Sequence, residues 1–152
     1  MKRVALDTNI LAYLVGVRRA AEDDGKIHAI RRLIADLARQ TTLIAPAQTL
    51  GELIVVLRRA GKSAEEARAI VLETADGFGT AASERQTMVA ATDLMVDHHF
   101  QFWDALIVTA AIEAGCTLLF SEDMQHGFVV RGLTIVNPLA PVRHPKLAAL
   151  VS

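Results

Sequence analysis

Four acidic residues are spread over almost the full length of the chain, namely Asp7, Glu52, Asp104 and Asp123. If the fold gathers them, their carboxylates form a pocket that only a hard cation could stabilise, because like charges held close together repel. Such a pocket with its cation could activate water against a phosphate ester. The four acids therefore predict a metal-dependent site that cleaves phosphodiester bonds.

Three of these acids stand at the ends of predicted elements, where each also has an ordinary structural explanation. Asp7 directly follows the first predicted strand, where ligands bind in open parallel sheets, but it could equally cap the next helix. Asp123 follows a strand at residues 117–120, where a turn residue is also expected. Asp104 lies in the first turn of a predicted helix, where a negative charge interacts favourably with the helix dipole. Position alone leaves both interpretations open for all three.

Glu52 is the acid that a structural role explains least well. It lies inside a helix predicted at residues 47–59, which is apolar nearly all round and is expected to be buried on more than one side. No lysine or arginine stands three or four residues away, and the nearest in that helix is Arg58. Because unpaired burial would cost several kcal/mol, Glu52 must reach solvent or be paired. A metal ion is the simplest partner.

Short β-branched runs alternate with longer helical periods, a pattern typical of βα units around a mainly parallel sheet. Strands are predicted at residues 4–6, 43–45, 87–89, 117–120 and 134–136. Helices are predicted at residues 10–15, 27–39, 47–59, 63–74, 91–99 and 102–114. Residues 17–27 are expected to form a loop or frayed turn. We expect one α/β domain over residues 1–138, followed by a loosely attached tail at 139–152.

Composition narrows the class of protein. A chain of 152 residues is long enough for one domain with a sizeable core, and no apolar run is long enough for a membrane span. Only three apolar residues precede Asp7, apart from the initial Met1, so the apolar stretch of a secretory signal is missing and we expect a cytoplasmic protein. The single Cys116 excludes an internal disulfide and a cysteine-based zinc site.

Any contact with nucleic acid must be local, because the net charge is only −1. Three pairs of adjacent arginines are candidates for such a contact: Arg18-Arg19, Arg31-Arg32 and Arg58-Arg59. Phe102 and Trp103 could stack on a base, although core packing beside Asp104 is the simpler expectation.

Taken in order, four segments resemble the motifs of PIN-domain ribonucleases, and most nearly the VapC-type toxins of type II toxin–antitoxin systems. The segments are Asp7-Thr8-Asn9-Ile10-Leu11, Glu52 in the helix after the second strand, Phe102-Trp103-Asp104-Ala105-Leu106-Ile107 and Leu119-Phe120-Ser121-Glu122-Asp123-Met124. Val136-Asn137-Pro138 is similar to the usual end of the family, so the resemblance covers about residues 3–138. One motif alone would be weak, whereas four in the right order are specific.

The resemblance implies a three-layer α/β/α sandwich with a central, mainly parallel sheet, in which the four acids hold Mg²⁺ or Mn²⁺. Asp7 and Asp104 are expected as direct ligands, and Glu52 and Asp123 as ligands that bind directly or through water. Three hydroxyl or amide side chains match positions that support the pocket: Thr8, Asn9 and Ser121. Ligation by oxygen alone suits these ions and does not suit zinc.

The activity implied by the resemblance is that of an endoribonuclease, a hydrolase of phosphodiester bonds in structured or single-stranded RNA. It would cut tRNA or rRNA loops, leave a 5′-phosphate and a 3′-hydroxyl, and inhibit translation as the toxin of a toxin–antitoxin pair. The implied partners are a VapB-like antitoxin, the RNA substrate and a second copy in a homodimer, with no membrane. A housekeeping RNA-processing nuclease of the same family is the alternative.

Three further alternatives fit less well. A receiver-type signalling domain needs an acidic pair after the first strand and a lysine at the end of the last, but Asp7 stands alone and Val136-Asn137-Pro138 contains no lysine. A haloacid-dehalogenase-type phosphatase needs a second aspartate where Asn9 stands. A catalytically idle scaffold of the PIN family has little support because all four acids are present.

Overall fold

The computed structural model describes residues 1–152 and contains six strands and seven helices. The strands are β1 (Lys2–Leu6), β2 (Thr41–Pro46), β3 (Gly79–Ala81), β4 (Leu118–Phe120), β5 (Val129–Val130) and β6 (Leu133–Val136). The helices are α1 (Thr8–Leu14), α2 (Asp23–Leu37), α3 (Ala47–Arg59), α4 (Ala64–Gly77), α5 (Arg85–His98), α6 (Phe102–Glu113) and α7 (Pro145–Val151). None of these helices has the length and apolar character needed to cross a membrane.

The six strands form one sheet in the order β3-β2-β1-β4-β6-β5. All neighbouring pairs are parallel except β5 and β6, which are antiparallel. The chain builds outward from β1 in one direction through β2 and β3, then returns to add β4 on the other side of β1. This reversal creates a switch point beside the carboxyl end of β1, which is where open α/β sheets bind ligands.

Helices cover both faces of the sheet, as the three-layer expectation requires. Val4 and Leu6 of β1 belong to a core shared with α1, α2, α3, α4 and α7. Ala5, which lies between them, belongs to a second core shared with α5 and α6. The split follows from the alternation of side chains along a strand. The predicted α/β/α sandwich with a mainly parallel sheet is therefore confirmed.

Strong local signals located several helices correctly. Helix α3 begins at Ala47 and ends at Arg59, as predicted. Helix α4 begins after a complete capping box, in which Glu66 N donates to Ser63 Oγ at 3.1 Å and Ser63 N donates to Glu66 Oε1 at 2.9 Å. These reciprocal bonds satisfy two backbone donors that a helix start leaves without partners.

The predicted strand at residues 87–89 is wrong, because these residues lie inside α5. Thr87 Oγ1 accepts a hydrogen bond from Glu84 N at 3.1 Å, and this contact caps the first turn of the helix. A run of three residues is too short for periodicity to distinguish a strand from a helical turn. The same limit explains why the short strands β3 and β5 were not predicted.

The predicted loose tail is also wrong, because the end of the chain packs on the core. Leu147 of α7 is fully buried in the same core as Val4. Lys146 Nζ donates to the buried Thr134 Oγ1 at 2.6 Å, and Gln40 Nε2 donates to the carbonyl of Leu150. These contacts attach α7 to β6 and to the start of β2. The domain boundary at residue 138 stays a prediction.

Two further expectations about the helices need correction. Helix α3 is not buried on more than one side, because Leu53 and Leu57 face the core whereas Ile54 and Val55 are 41% and 48% exposed. Residues 17–27 are not all loop, because α2 begins at Asp23. The apolar composition of α3 therefore led us to expect more burial than the helix has. The charged residues of the first turn of α2 led us to expect a loop there.

Candidate active site

Asp7 lies at the carboxyl end of β1 and is also the N-cap of α1. Its Oδ1 accepts a hydrogen bond from Thr8 N at 2.7 Å. Its Oδ2 accepts from Ser121 Oγ at 2.7 Å and from Asn9 Nδ2 at 3.2 Å. Burial raises the pKa of Asp7 to about 6, and the charges of Asp104 and Asp123 add to this rise. The capping role and a chemical role are thus compatible in one side chain.

Asn9 links the end of β1 to the segment that follows β4. Its Nδ2 donates to Asp123 Oδ2 at 3.1 Å as well as to Asp7. Its Oδ1 accepts from the backbone N–H of Glu122 at 3.1 Å. Because one amide holds both sides of this junction, Asp7 and Asp123 are brought to the same edge of the sheet although they are far apart in the sequence.

Glu52 is half-buried on α3 and accepts a hydrogen bond from Thr8 Oγ1 at 3.1 Å. Burial raises its pKa, and the charge of Asp7 adds to the effect. Apolar residues do not enclose Glu52, contrary to the expectation from the sequence. The side chain reaches an open cavity and has a hydroxyl partner, so a metal is compatible with Glu52 but is not required by its burial.

Asp104 is half-buried in the first turn of α6. Burial raises its pKa, and the charges of Glu52 and then Asp123 contribute further. No side-chain or backbone group of the protein donates a hydrogen bond to this carboxylate. Both of its oxygens are therefore free to accept bonds from water, an ion or a ligand.

All four acids line one open cavity with a volume of about 770 Å³. Thr8 and Asn9 also line this cavity, which we call the acidic cavity. Ser121 is fully buried beneath it and reaches it through Asp7. The structure thus brings the seven predicted site residues together at the switch point of the sheet. Their individual roles in catalysis stay predictions.

The carboxylate oxygens that line the acidic cavity suit a hard cation that keeps several of its bound waters. No three histidine, cysteine, aspartate or glutamate side chains are close enough to hold one ion directly. The carboxylates are nevertheless without cationic partners, since the two ion pairs of the chain involve none of the four acids. Mg²⁺ commonly binds through one or two carboxylates and water. Two groups have free lone pairs for direct contact with such an ion. One is the Asp104 carboxylate, and the other is Asp7 Oδ1, which accepts a single hydrogen bond.

A cluster outside the predicted set supports the segment that carries Asp123. Glu122 Oε1 accepts a hydrogen bond from Tyr13 Oη, and Glu122 Oε2 lies 2.8 Å from Lys26 Nζ. Burial raises the pKa of Tyr13 to about 12, and the hydrogen bond and charge of Glu122 act in the same direction. The cluster joins α1 and α2 to the chain after β4. Sequence reasoning missed it because its members are 13 to 109 residues apart.

Three residues that the sequence offered only as general candidates for nucleic-acid contact lie on the wall of the acidic cavity. Trp103 lines the cavity and is 49% exposed, so the expectation that it packs in the core is wrong. Arg19 and Arg59 line the same cavity. Both belong to arginine pairs noted in the sequence, but only the fold distinguishes them from Arg18 and Arg58.

Comparison with known proteins gives a family for the sequence and relatives for the fold. A family model described as the PIN domain matches residues 4–127. No curated protein matches the chain in sequence.

Among solved structures, VapC20 of Mycobacterium tuberculosis, a toxin that cleaves the sarcin–ricin loop, is 20% identical with a TM-score of 0.62 and covers 79% of this chain and 91% of its own. VapBC2 of Rickettsia felis, bound to a DNA fragment from its promoter, is 16% identical with a TM-score of 0.62 over 80% and 88% of the two chains. A toxin–antitoxin complex from Klebsiella pneumoniae is 16% identical with a TM-score of 0.64 over 89% and 97%. At these identities the likeness shows a shared fold.

Proposed function

The chain belongs to the PIN-domain family, and we propose that it is a Mg²⁺- or Mn²⁺-dependent endoribonuclease that serves as the toxin of a toxin–antitoxin pair. The observation that carries the proposal is the convergence of Asp7, Glu52, Asp104 and Asp123 on one open cavity without a cationic partner. The likeness in fold to VapC20 and to two toxin–antitoxin complexes supports the assignment as a toxin.

The proposed reaction is hydrolysis of an RNA phosphodiester. A bond forms between a water oxygen and phosphorus, and the bond from phosphorus to the 3′ oxygen breaks, so the products carry a 5′-phosphate and a 3′-hydroxyl. When bound, Mg²⁺ or Mn²⁺ supplies positive charge at the phosphate and lowers the pKa of the attacking water. Asp7 and Asp104 would hold the ion, because both have free lone pairs on the cavity.

The other site residues would orient these groups. Ser121 and Asn9 direct the Asp7 carboxylate by donating to its Oδ2. Glu52 and Asp123 are more accessible to solvent than Asp7, so each can bind the ion through water or accept a hydrogen bond from the attacking water. Thr8 Oγ1 keeps the Glu52 carboxylate in place. These hydrogen bonds restrict the carboxylates before substrate arrives, which lowers the reorganisation needed for reaction.

The proposed substrates are tRNA or rRNA loops, whose cleavage would inhibit translation, and the proposed location is the cytoplasm. The cleavage of the sarcin–ricin loop by VapC20 supports a loop in a structured RNA as the target. The proposed protein partners are a VapB-like antitoxin and a second copy of the chain. Exposed apolar side chains on two helices support a partner surface: Ile54 and Val55 on α3, and Met88, Val89, Met95 and Val96 on α5.

Cleavage by the purified chain tests the proposal. Cellular RNA is incubated with protein and Mg²⁺, Mn²⁺ or EDTA, and the 5′ ends of the products are sequenced. We expect cuts at a few defined positions, 5′-phosphate ends, and no cuts with EDTA. Asp7→Asn should reduce cleavage at least about 1,000-fold with an unchanged circular dichroism spectrum. Asp36→Asn, on the exposed face of α2, is the matched control and should cleave normally.

The results also separate a toxin from a housekeeping nuclease. A toxin should arrest growth on expression, and a small antitoxin encoded beside it should prevent both arrest and cleavage. Metal-dependent cleavage without growth arrest would favour RNA processing instead. Full cleavage by Asp7→Asn, or unchanged cleavage in EDTA, would overturn the proposed active site.

A further inference from the structure

The wall of the acidic cavity carries two arginines, Arg19 and Arg59, that form no salt bridge with an acidic side chain. Arg19 lies between α1 and α2, and Arg59 is the last residue of α3. The two ion pairs of the chain are Arg18 with Asp24 and Lys26 with Glu122, so neither arginine belongs to one. The side chains of Arg19 and Arg59 also donate no hydrogen bond within the protein.

These arginines extend the acidic cavity into a neighbouring hollow. A second cavity of about 370 Å³ is lined by Arg18, Arg19 and Arg59, together with Val17, Val56 and Ala60. Arg19, Val56 and Arg59 belong to the walls of both cavities. A ligand that enters the acidic cavity can therefore continue along a surface that carries positive charge. A chain with phosphates at regular intervals could place one phosphate beside a metal ion held by the acids and others on the arginines, since guanidinium groups bind phosphate in a bidentate manner.

The backbone beneath Arg19 is held in place by a buried acid. Asp23 is only 5% exposed, and its Oδ2 accepts hydrogen bonds from Arg19 N at 2.8 Å and Ala20 N at 3.1 Å. The preceding Arg18 instead contacts Asp24 at 3.2 Å. The segment between α1 and α2 is thus an ordered turn that directs one arginine to the cavity and pairs the other with an acid.

Trp103 provides an apolar surface on the same cavity. It precedes Asp104 in α6, is 49% exposed and packs against Phe102 in a T-shaped arrangement with ring centroids 5.1 Å apart. A half-exposed indole beside a carboxylate cavity can stack on a base, because every base presents a flat π face. Bases inside a duplex already stack on their neighbours, so this surface favours RNA that is unpaired.

We propose that Arg19, Arg59 and Trp103 bind a single-stranded RNA segment across the acidic cavity, with backbone phosphates on the two arginines and an unpaired base on the indole. The inference rests on the proposed nuclease function and adds the side chains that bind the RNA substrate. It also gives residues 17–24 a role, which is to present Arg19 to the RNA backbone.

Binding to an RNA that is not cleaved tests each contact. The parent is Asp7→Asn with Mg²⁺, and the probe is a fluorescein-labelled RNA of 12 nucleotides and mixed sequence, alone or annealed to its complement. Arg19→Gln and Arg59→Gln should each weaken binding of the single strand about fivefold or more. Each should also reduce the slope of log affinity against log salt by about 0.7, the value for one phosphate contact on a single strand.

Three controls identify the origin of each loss. Arg39→Gln removes the same charge beside the amino end of β2, at the opposite edge of the sheet, and should leave affinity and slope unchanged. Trp103→Leu should weaken single-strand binding about fivefold without changing the salt slope, and Trp103→Phe should restore most of it. The duplex should bind more weakly than the single strand and should not respond to Trp103→Leu.

Affinities of Arg19→Gln and Arg59→Gln within twofold of the parent, with an unchanged salt slope, would overturn the phosphate contacts. Equal binding of single strand and duplex would overturn the contact between Trp103 and an unpaired base, as would a Trp103→Leu variant with parental affinity. If any of these contradicting results is obtained and the wild-type protein still cleaves RNA, the inference fails and the proposed nuclease function stands. If wild-type protein cleaves no RNA with Mg²⁺ or Mn²⁺, the proposed function itself fails.

Discussion

Ser121 Oγ donates a hydrogen bond of 2.7 Å to Asp7 Oδ2, and this contact joins the carboxyl ends of the neighbouring strands β4 and β1. The same hydroxyl accepts from Asp123 N at 3.3 Å and from Met124 N at 3.1 Å. Both Ser121 and Asp7 are buried, so water cannot replace the bond freely. One serine therefore orients the Asp7 carboxylate and fixes the turn that carries Asp123.

Ser121→Ala should reduce RNA cleavage about tenfold at pH 7 and shift the pH profile of activity upward. The hydrogen bond from Ser121 lowers the pKa of Asp7, so its loss raises that pKa and leaves less carboxylate at neutral pH. Stability should fall by about 1–3 kcal/mol because buried polar groups lose a partner.

Ser83→Ala is the matched control, because the Ser83 hydroxyl is buried without a hydrogen-bond partner. This control should retain activity and stability. Cleavage rates from pH 6 to 9 and urea unfolding measure both effects. A Ser121→Ala variant with the wild-type pH profile would show that the hydroxyl does not position Asp7.

Asp7 should make the free energy of unfolding of the metal-free protein fall as the pH rises from about 4 to about 6. Above about pH 6 this contribution should level off. The pKa of Asp7 is about 6 in the folded chain and 3.8 in the unfolded reference, so between these values the folded state binds the additional proton. The difference corresponds to roughly 3 kcal/mol, at 1.36 kcal/mol for each pH unit. Burial also raises the pKa values of Glu52 and Asp104, which contribute with the same sign.

Urea unfolding in EDTA at several pH values measures this dependence. Asp7→Asn should lose the part of it that Asp7 causes, so the difference between wild type and variant isolates the effect. A difference that grows in favour of the wild type as the pH rises would contradict the raised pKa.

Mg²⁺ and Mn²⁺ should each raise the melting temperature, because an ion that binds the folded state stabilises it by mass action. The gain is about 2.7 kcal/mol when the free ion is at 100 times its dissociation constant. Asp104→Asn should reduce the gain by at least half, since Asp104 has two free carboxylate oxygens on the cavity. Asp93→Asn, which is exposed on α5, should respond like the wild type.

Thermal unfolding with increasing ion, at constant ionic strength, measures these shifts. No shift for the wild type at about 10 mM of either ion would count against a shared metal site. An equal shift for wild type and Asp104→Asn would move the site away from Asp104.

Leu147→Ala should destabilise the protein by about 2–5 kcal/mol, the usual cost of removing a fully buried leucine side chain. Helix α7 packs Leu147 into the core, so the cost should appear in the global unfolding transition. Val142→Ala is the control, because Val142 is 81% exposed and should change stability by less than about 0.5 kcal/mol. Equal stability of the two variants would show that α7 does not belong to the folded unit.

Local patterns allowed accurate prediction only where several signals agreed within one segment. The capping box at Ser63 and Glu66 marked the start of α4, and the long apolar run within residues 47–59 marked α3. The segment at 87–89 had no such agreement and was assigned to a strand instead of α5. Leu147 lies in a short terminal segment, whose packing depends on a core assembled from distant residues.

The sequence by itself determined the family and the identity of the four acids, because ordered motifs are local patterns that do not depend on three-dimensional contacts. Only the tertiary structure decided how these acids are held. Glu52 has Thr8 as its partner from 44 residues away, and Asp7 has Ser121 from 114 residues away. The raised pKa of Asp7, and the presence of Arg19 and Trp103 on the same wall, depend on burial and on distances between segments, which no local pattern encodes.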